Sequence, residues 1–297
     1  MRTGIMLCYP FEEARFLKWN SPAVIQPKLD GDRCRAIIDS AGKAILLSSE
    51  ENEIRSVPHI INKLESLNLH DAEFDGELYV HGAPHSDIHG IVSREVNLHP
   101  DHDLMEYHIF DMVTDRPQYE RLDDVKKIFT GVNVPRFHNP IQIVKSAVVT
   151  SLDNIMEWMD LYAHEGYEGF VLRHIDAAYV RKRSTSMMKF KPRKEDYYKI
   201  VDFAEEISIT GAPKNALGAL ICQGDDGTRF NVGSGSLLTR DMRVHLWKHR
   251  EMLSGLFAHV KYQHITTANK VPRFPVIVDL AQDDEHGSLR SIFEQRG

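Results

Sequence analysis

An α+β chain of two domains, the second a small closed β-barrel, is what this 297-residue sequence predicts. Three observations carry that expectation. Up to about residue 195, antiparallel-type strand runs with turn signals are interspersed with segregated amphipathic helices. Beyond a basic stretch, the remainder reads as five short strands and one helix. No run of 18 apolar residues occurs, and a hydrophobic content of 42% can bury one large core or two smaller ones.

Taken in order, "AVIQPKL", an Asp-Gly pair and "RCRAIID" read as a hairpin, because Asp-Gly between apolar runs is a strong two-residue turn signal. After a break at Ser40 to Gly42, "KAILLSS" supplies another strand. "SVPHIINKLESLNL" is a helix, with Ile60, Ile61, Leu64 and Leu67 recurring near i, i+3, i+4 and i+7. "AEFDGELYVHG" and "EYHIFDMV" are strand-like. "LDNIMEWMDLYAHEG" is an amphipathic helix whose stripe comes from Ile155, Met156, Met159, Leu161 and Tyr162, and the strand "YEGFVLRH" follows it. Past "KPRKEDYY" come the strands "YKIVDFAEEISI", "ALGALICQ", "TRFNVGSG", "FAHVKYQHIT" and "RFPVIVDLAQ". The helix among them, "TRDMRVHLWKHREML", has Thr239 as N-cap and Met242, Leu246 and Leu253 on one face. That makeup fits a barrel of the oligonucleotide-binding type, so the domains are expected at 1–195 and 196–297.

Composition narrows the classes. Cys8, Cys34 and Cys222 are few and widely spaced, which argues against a disulfide framework or a thiolate zinc site and fits a reducing compartment. The apolar stretch Ile5 to Leu7 is too short for a secretory signal, so the cytoplasm is expected, with no membrane partner. The net charge of −7 argues at first against a nucleic-acid partner, but residues 179–199 hold eight cations against Glu195 and Asp196. Within that segment Met188, Phe190 and Pro192 alternate with Lys189 and Lys191, as in a strand with one buried face and two lysines on the other. His81, His85 and His89 sketch a metal face at i, i+4 and i+8. However, Gly82, Pro84 and Gly90 disfavour a long helix, and a polar loop is expected there. "GDDG" at 224–227 is a hairpin turn.

The chemistry centres on "QPKLDGDRCR", in which Lys28, Asp30, Gly31 and Arg33 form K-x-D-G-x-R. Its lysine is either a polar residue at a turn or a nucleophile at the mouth of a nucleotide pocket. Four blocks follow it in order: "FDGELYV", "YHIFDMV", "YEGFVLR" and "MKFKP". The series resembles motifs I, III, IIIa, IV and V of the covalent nucleotidyltransferases, which comprise ATP-dependent DNA ligases, RNA ligases and mRNA capping guanylyltransferases. "TRFNVGSG" is similar to the FxVGSG strand of a ligase barrel, so the resemblance spans nearly the whole chain.

The resemblance implies a small phage or bacterial type of ATP-dependent DNA ligase. Its fold would be a nucleotidyltransferase domain of ATP-grasp-like antiparallel sheets with helices, followed by an OB-fold barrel. It implies ATP as cofactor with AMP carried covalently on Lys28, Mg2+ with Mn2+ able to substitute, and nicked double-stranded DNA as partner of a monomer. An amine that attacks the α-phosphorus must be neutral part of the time, although a free lysine titrates near about 10.4. Lys189, Lys191 and a bound metal are the cations expected to favour that form and to neutralise the transferring phosphate. By resemblance Asp30 assists at the charged lysine, and Arg33 contacts the ribose or the DNA end. Gln26 meets the adenine edge, Phe110 stacks on the purine and Arg173 closes the fourth block. From residues alone Phe110 reads equally as a core aromatic, and Glu77 and Glu168 as solvent-facing strand glutamates. In the family pattern Glu77 contacts ribose and metal, and Glu168 holds the metal.

Two departures stand out. Ser49 in "LLSSEENEI" occupies the place of a phosphate-binding arginine, and "RFPVIVDLAQDDEHG" lacks a lysine after Asp283 or Asp284, leaving Lys270 or Arg290 as substitutes. The alternatives are an RNA ligase, a GTP-dependent capping guanylyltransferase, or a non-catalytic barrel that binds single strands.

Overall fold

The computed structural model describes residues 4–130, 139–192, 194–208, 210–263, 265–266 and 270–282, and these form three five-stranded sheets and six α-helices. Arg193, Asp283, Asp284 and Arg290 lie outside the described residues. Contacts divide the chain into two units, Met1–Ile155 with Phe170–Phe190, and Met156–Gly169 with Lys191–Gly297.

The first unit opens with β1 (Leu7–Pro10), α1 (Glu13–Trp19), β2 (Ala23–Pro27), β3 (Asp32–Ile38), β4 (Ala44–Ser48) and α2 (Pro58–Glu65). It continues with β5 (Ala72–Tyr79), α3 (His85–Val92), β6 (Glu106–Met112), α4 (Gln118–Thr130), β7 (Ile141–Ile143) and β8 (Ala147–Val149). Helix α5 (Leu152–His164) runs across the division, and β9 (Phe170–His174) and β10 (Arg183–Phe190) return to the first unit. One sheet has the order β1-β10-β9-β2-β8 and the other β4-β3-β5-β6-β7. Pairing is antiparallel except between β1 and β10 and between β6 and β7. Apolar periodicity does what it should in these elements. Ile60 and Leu64 are buried on α2, and Ile155, Met159 and Tyr162 on α5.

The expected hairpin across Asp30-Gly31 does not form. Strand β2 pairs with β8 and β9, whereas β3 pairs with β4 and β5, so residues 28–31 are a crossover between two sheets. Gly31 does not adopt the positive φ that a type I′ turn requires. Its missing side chain serves close approach instead, since a Cβ there would stand 2.2 Å from the Leu78 carbonyl oxygen.

Two further expectations change. Residues 85–92 form helix α3 rather than a loop, with Ile88, Ile91 and Val92 buried and Gly90 tolerated on the open side. Strand β10 stops at Phe190, just ahead of Pro192, so Lys189 belongs to the strand and Lys191 follows it.

The second unit has β11 (Lys194–Ile207), β12 (Pro213–Gln223), β13 (Arg229–Val232), α6 (Arg240–Lys248), β14 (Phe257–Tyr262) and β15 (Val276–Ala281), in the order β13-β12-β11-β14-β15. Its core includes Ile200, Leu220, Val232, Leu246, Val260 and Ile277. The two edges approach each other through one parallel bridge, Ser234 with Val276. Gly235 makes this possible, because a Cβ there would lie 2.0 Å from the Ile277 carbonyl oxygen. Thr239 caps α6 as expected, its side chain accepting from the Met242 amide at 3.2 Å. Thr239→Ala should cost about 1 kcal/mol, read as a lowered urea midpoint without a change in slope.

Candidate active site

A cavity of about 1030 Å³ lies within the first unit, lined by residues of both its sheets. Gln26, Lys28, Arg33, Glu77, Phe110, Arg173 and Lys189 all contribute to its wall. Asp30 does not line it. Glu168 and Lys191 belong to the second unit, where the Lys191 ammonium pairs with the Glu168 carboxylate.

Local folding explains the convergence. Gln26 stands opposite Val171, and Val24 opposite Arg173, in the β2–β9 ladder, while Arg33 faces Glu77 across β3 and β5. Lys28 hangs from the crossover between these ladders, half-buried, and its ammonium donates to the Leu29 carbonyl at 3.3 Å. Lys189, one residue from the end of β10, reaches the same wall.

Arg33 is locked. Its Nε and Nη2 donate to the two carboxylate oxygens of buried Asp75 at 2.7 and 2.5 Å, and the Tyr179 hydroxyl donates to Asp75 Oδ2 at 2.5 Å. Burial alone would push the pKa of such a cation down, yet Asp75 more than offsets it and holds the guanidinium well above its ordinary value. Two guanidiniums stand over the Phe110 ring, Arg33 at 4.7 Å and Arg173 at 5.0 Å from its centroid. It is half-buried and faces the cavity, so it is not a core aromatic.

Behind Phe110 lies a polar network that sequence reasoning missed. Asp111 accepts from Arg121 Nε at 2.8 Å and from Arg173 Nη1 at 2.9 Å, and all three side chains are buried. Arg121 also donates to Gln118 and to the Ala177 carbonyl. Arg173 Nε in turn donates to Gln26 Oε1 at 2.9 Å, which directs the Gln26 amide nitrogen to the Phe110 carbonyl and Ser146 Oγ, each at 3.0 Å. Gln26 is therefore held by protein at both ends of its amide. Arg173, expected to close the fourth block, is a buried strut. The available signal was the strand pattern of β6, which places Asp111 on the same buried face as Tyr107 and Ile109.

Glu77 differs from the other acids. Enclosure in the wall pushes its carboxyl up to about 8, despite the opposing attraction of Arg33 and Lys28. Among the described residues no three His, Cys, Asp or Glu side chains form a metal-holding cluster. Magnesium, however, needs only one or two carboxylates beside waters and phosphate oxygens, and a desolvated carboxyl in the cavity wall fits that role. The pH consequence has a definite sign. An acid whose folded value is raised contributes stability that is complete below the unfolded value near about 4.5 and is lost as pH rises through about 8. Ligand-free Glu77→Gln should therefore melt like the parent protein at pH 5 and above it at pH 8.5, by about 2 kcal/mol. A melting gap that stays constant across this range would contradict the assignment.

Two family models match this chain. The family model described as ATP dependent DNA ligase domain matches residues 5–191, and that described as DNA ligase OB-like domain matches residues 210–280. A DNA ligase of African swine fever virus (isolate Tick/South Africa/Pretoriuskop Pr4/1996) is 24% identical over 275 residues, 86% of this chain and 63% of the viral protein. The chain thus spans less than two thirds of the length of these curated relatives. In fold it is similar to Chlorella virus DNA ligase-adenylate, with a TM-score of 0.66 and 22% identity over 97% of this chain and 100% of that one. It is also similar to the ATP-dependent DNA ligase of bacteriophage T7 in complex with ATP, with a TM-score of 0.69 and 16% identity over 92% and 97% of the two chains. Among the described residues no helix is long and apolar enough to cross a membrane.

Proposed function

Because this chain belongs to the ATP-dependent DNA ligase family, we propose that its first-unit cavity charges Lys28 with AMP and that the protein seals nicks in duplex DNA. The observation that carries this reading is the placement of Lys28 on the crossover between two sheets, in one cavity with Arg33, Glu77, Phe110, Arg173 and Lys189. The Lys28 amine attacks the α-phosphorus of ATP, a P–N bond forms, and the bond to pyrophosphate breaks. A 5′-phosphate oxygen at the nick then takes the AMP as the P–N bond breaks. The 3′-hydroxyl attacks the activated 5′-phosphorus and expels AMP. Phe110 supplies a face for the purine, and the Arg173–Gln26 pair holds that face in register with the lysine. Arg33, fixed by Asp75, positions the ribose or the DNA end, Lys189 neutralises the transferring phosphate, and Asp30 assists at the charged lysine. Glu77 is the first-unit carboxylate suited to hold magnesium, or manganese in its place. A bound cation would lower the cost of gathering phosphate charge.

In this reading residues 1–195 carry adenylylation and residues 196–297 form the barrel. Glu168 and Lys191 serve as a metal ligand and a phosphate contact once their mutual ion pair opens. The protein acts as a cytoplasmic monomer on phosphates and duplex shape, so DNA binding weakens steeply with salt. The test is incubation with α-labelled ATP or GTP and magnesium, then a chase with nicked DNA, a nicked RNA–DNA hybrid or single-stranded RNA. Label from ATP that chases into nicked DNA and yields a sealed strand is expected. Label from GTP, or a chase into RNA alone, would overturn the reading.

A further inference from the structure

We propose that α3 and its C-terminal end carry a phosphate-binding row, His85, His89 and Arg94, which grips the backbone of the nucleic-acid strand presented to charged Lys28. The identity of that strand rests on the ligase reading above. The cavity, at about 1030 Å³, lies at the top of the range of roughly 300–1,000 Å³ for small-ligand pockets, and two chemically distinct groups line it. One is the purine-facing set around Phe110. The other is this row, which that set does not need.

The two imidazoles lie nearly parallel, with centroids 6.0 Å apart and planes 9° apart, as i, i+4 neighbours on one helix face. Both are anchored on Asp32 of β3, His89 through Nδ1 at 2.8 Å and His85 through Nε2 at 3.5 Å. Each ring therefore directs its inner nitrogen to the carboxylate. Neither outer nitrogen, His85 Nδ1 or His89 Nε2, has a protein partner among the described residues. A neutral ring that donates to Asp32 shows a lone pair outward. A protonated ring donates from both nitrogens and can hold Asp32 and a phosphate oxygen together. Arg94 follows the helix, its Nε donating to the Gly90 carbonyl at 3.4 Å. Among the described residues its two terminal nitrogens meet no acceptor, so its fork remains available to a phosphate. Of the strands packed against α3, β3 also brings Arg33 and β5 brings Glu77 to the same cavity wall, and the helix itself carries Asp87.

The row thus supplies one pH-independent contact and two that exist only when the imidazoles are protonated. The experiment measures binding of a fluorescent nicked duplex to the full chain at pH 6 and pH 8 over a salt series, with Lys28 labelling from ATP as a control on each variant. The parent protein should bind about tenfold more tightly at pH 6, and His85→Asn/His89→Asn should lose most of that difference. Arg94→Gln should weaken binding about fivefold at both pH values and reduce the log–log salt slope by about one. All variants should label Lys28 at the parent rate. Parent-like affinity, pH response and salt slope in both variants would overturn the row. Failure of the parent protein to label Lys28 would instead overturn the ligase reading, while the affinity measurements would still decide whether the row binds phosphate.

Discussion

Lys28→Ala is expected to abolish covalent attachment of AMP and to lower strand sealing by at least about 10⁴-fold. The side chain sits on the crossover at the rim of two ladders, and among the described residues the other lysine of the cavity wall is Lys189. Lys189 is fixed within β10 and Lys191 belongs to the other unit, paired with Glu168. Lys28→Arg should fail as well, since guanidinium is never neutral at working pH and has no amine lone pair to give. The measurement is transfer of label from α-labelled ATP to protein, followed by gel separation. A melting temperature near that of the parent protein would show that the loss is chemical. Residual labelling of the alanine variant at the parent level would place the nucleophile elsewhere.

Asp111→Asn should cost about 3–5 kcal/mol of stability. The carboxylate is fully buried between Arg121 and Arg173, so its removal leaves two guanidiniums in the interior without a counter-charge. The damage should also reach the cavity, because Arg173 fixes Gln26 and flanks Phe110. A rise in the ATP concentration needed to charge Lys28 is therefore expected at temperatures where the variant is still folded. Adding Arg121→Met to Asp111→Asn should recover part of the stability, because one unpaired charge is then gone. Chemical melts of the three proteins decide this. A single variant within about 1 kcal/mol of the parent would show that the network is not under charge tension.

Strand β6, which carries Phe110 and Asp111, was legible because burial on one face imposes a period of two. Helix α4 was not, since "QYERLDDVKKIFT" is polar to the eye and spends a core position on Arg121, whose burial only Asp111 makes tolerable. The same blindness hid the Asp111 network. A charge inside a strand is read as solvent-facing until its partner, 10 or 62 residues away, is seen. The Asp-Gly pair misled for a different reason. A glycine can be required by a turn or by a neighbour's closeness, and only the position of Leu78 separates the two. For α3, Gly90 argued for a loop, but its place on the open side of the helix carries no packing cost. Gln26, Lys28, Arg33, Glu77, Phe110, Arg173 and Lys189 were named from motif resemblance, and the cavity draws them together. The same resemblance could not separate them from Glu168 and Lys191, because spacing along a chain carries no information about which unit a residue joins.

The crossover at residues 28–31 also dictates an order of assembly. The sheet holding β3, β4, β5 and β6 is built mostly from consecutive strands, so it can pair soon after residue 112 has emerged during synthesis. The sheet holding β2 must wait for β9 and β10, the latter ending at Phe190, because its pairings join residues near 25 to residues near 172. Contacts of such long sequence separation form slowly. The lysine is translated early, but the second wall of its pocket comes late, so a nascent chain shorter than about 190 residues holds the nucleophile without the pocket that would activate it.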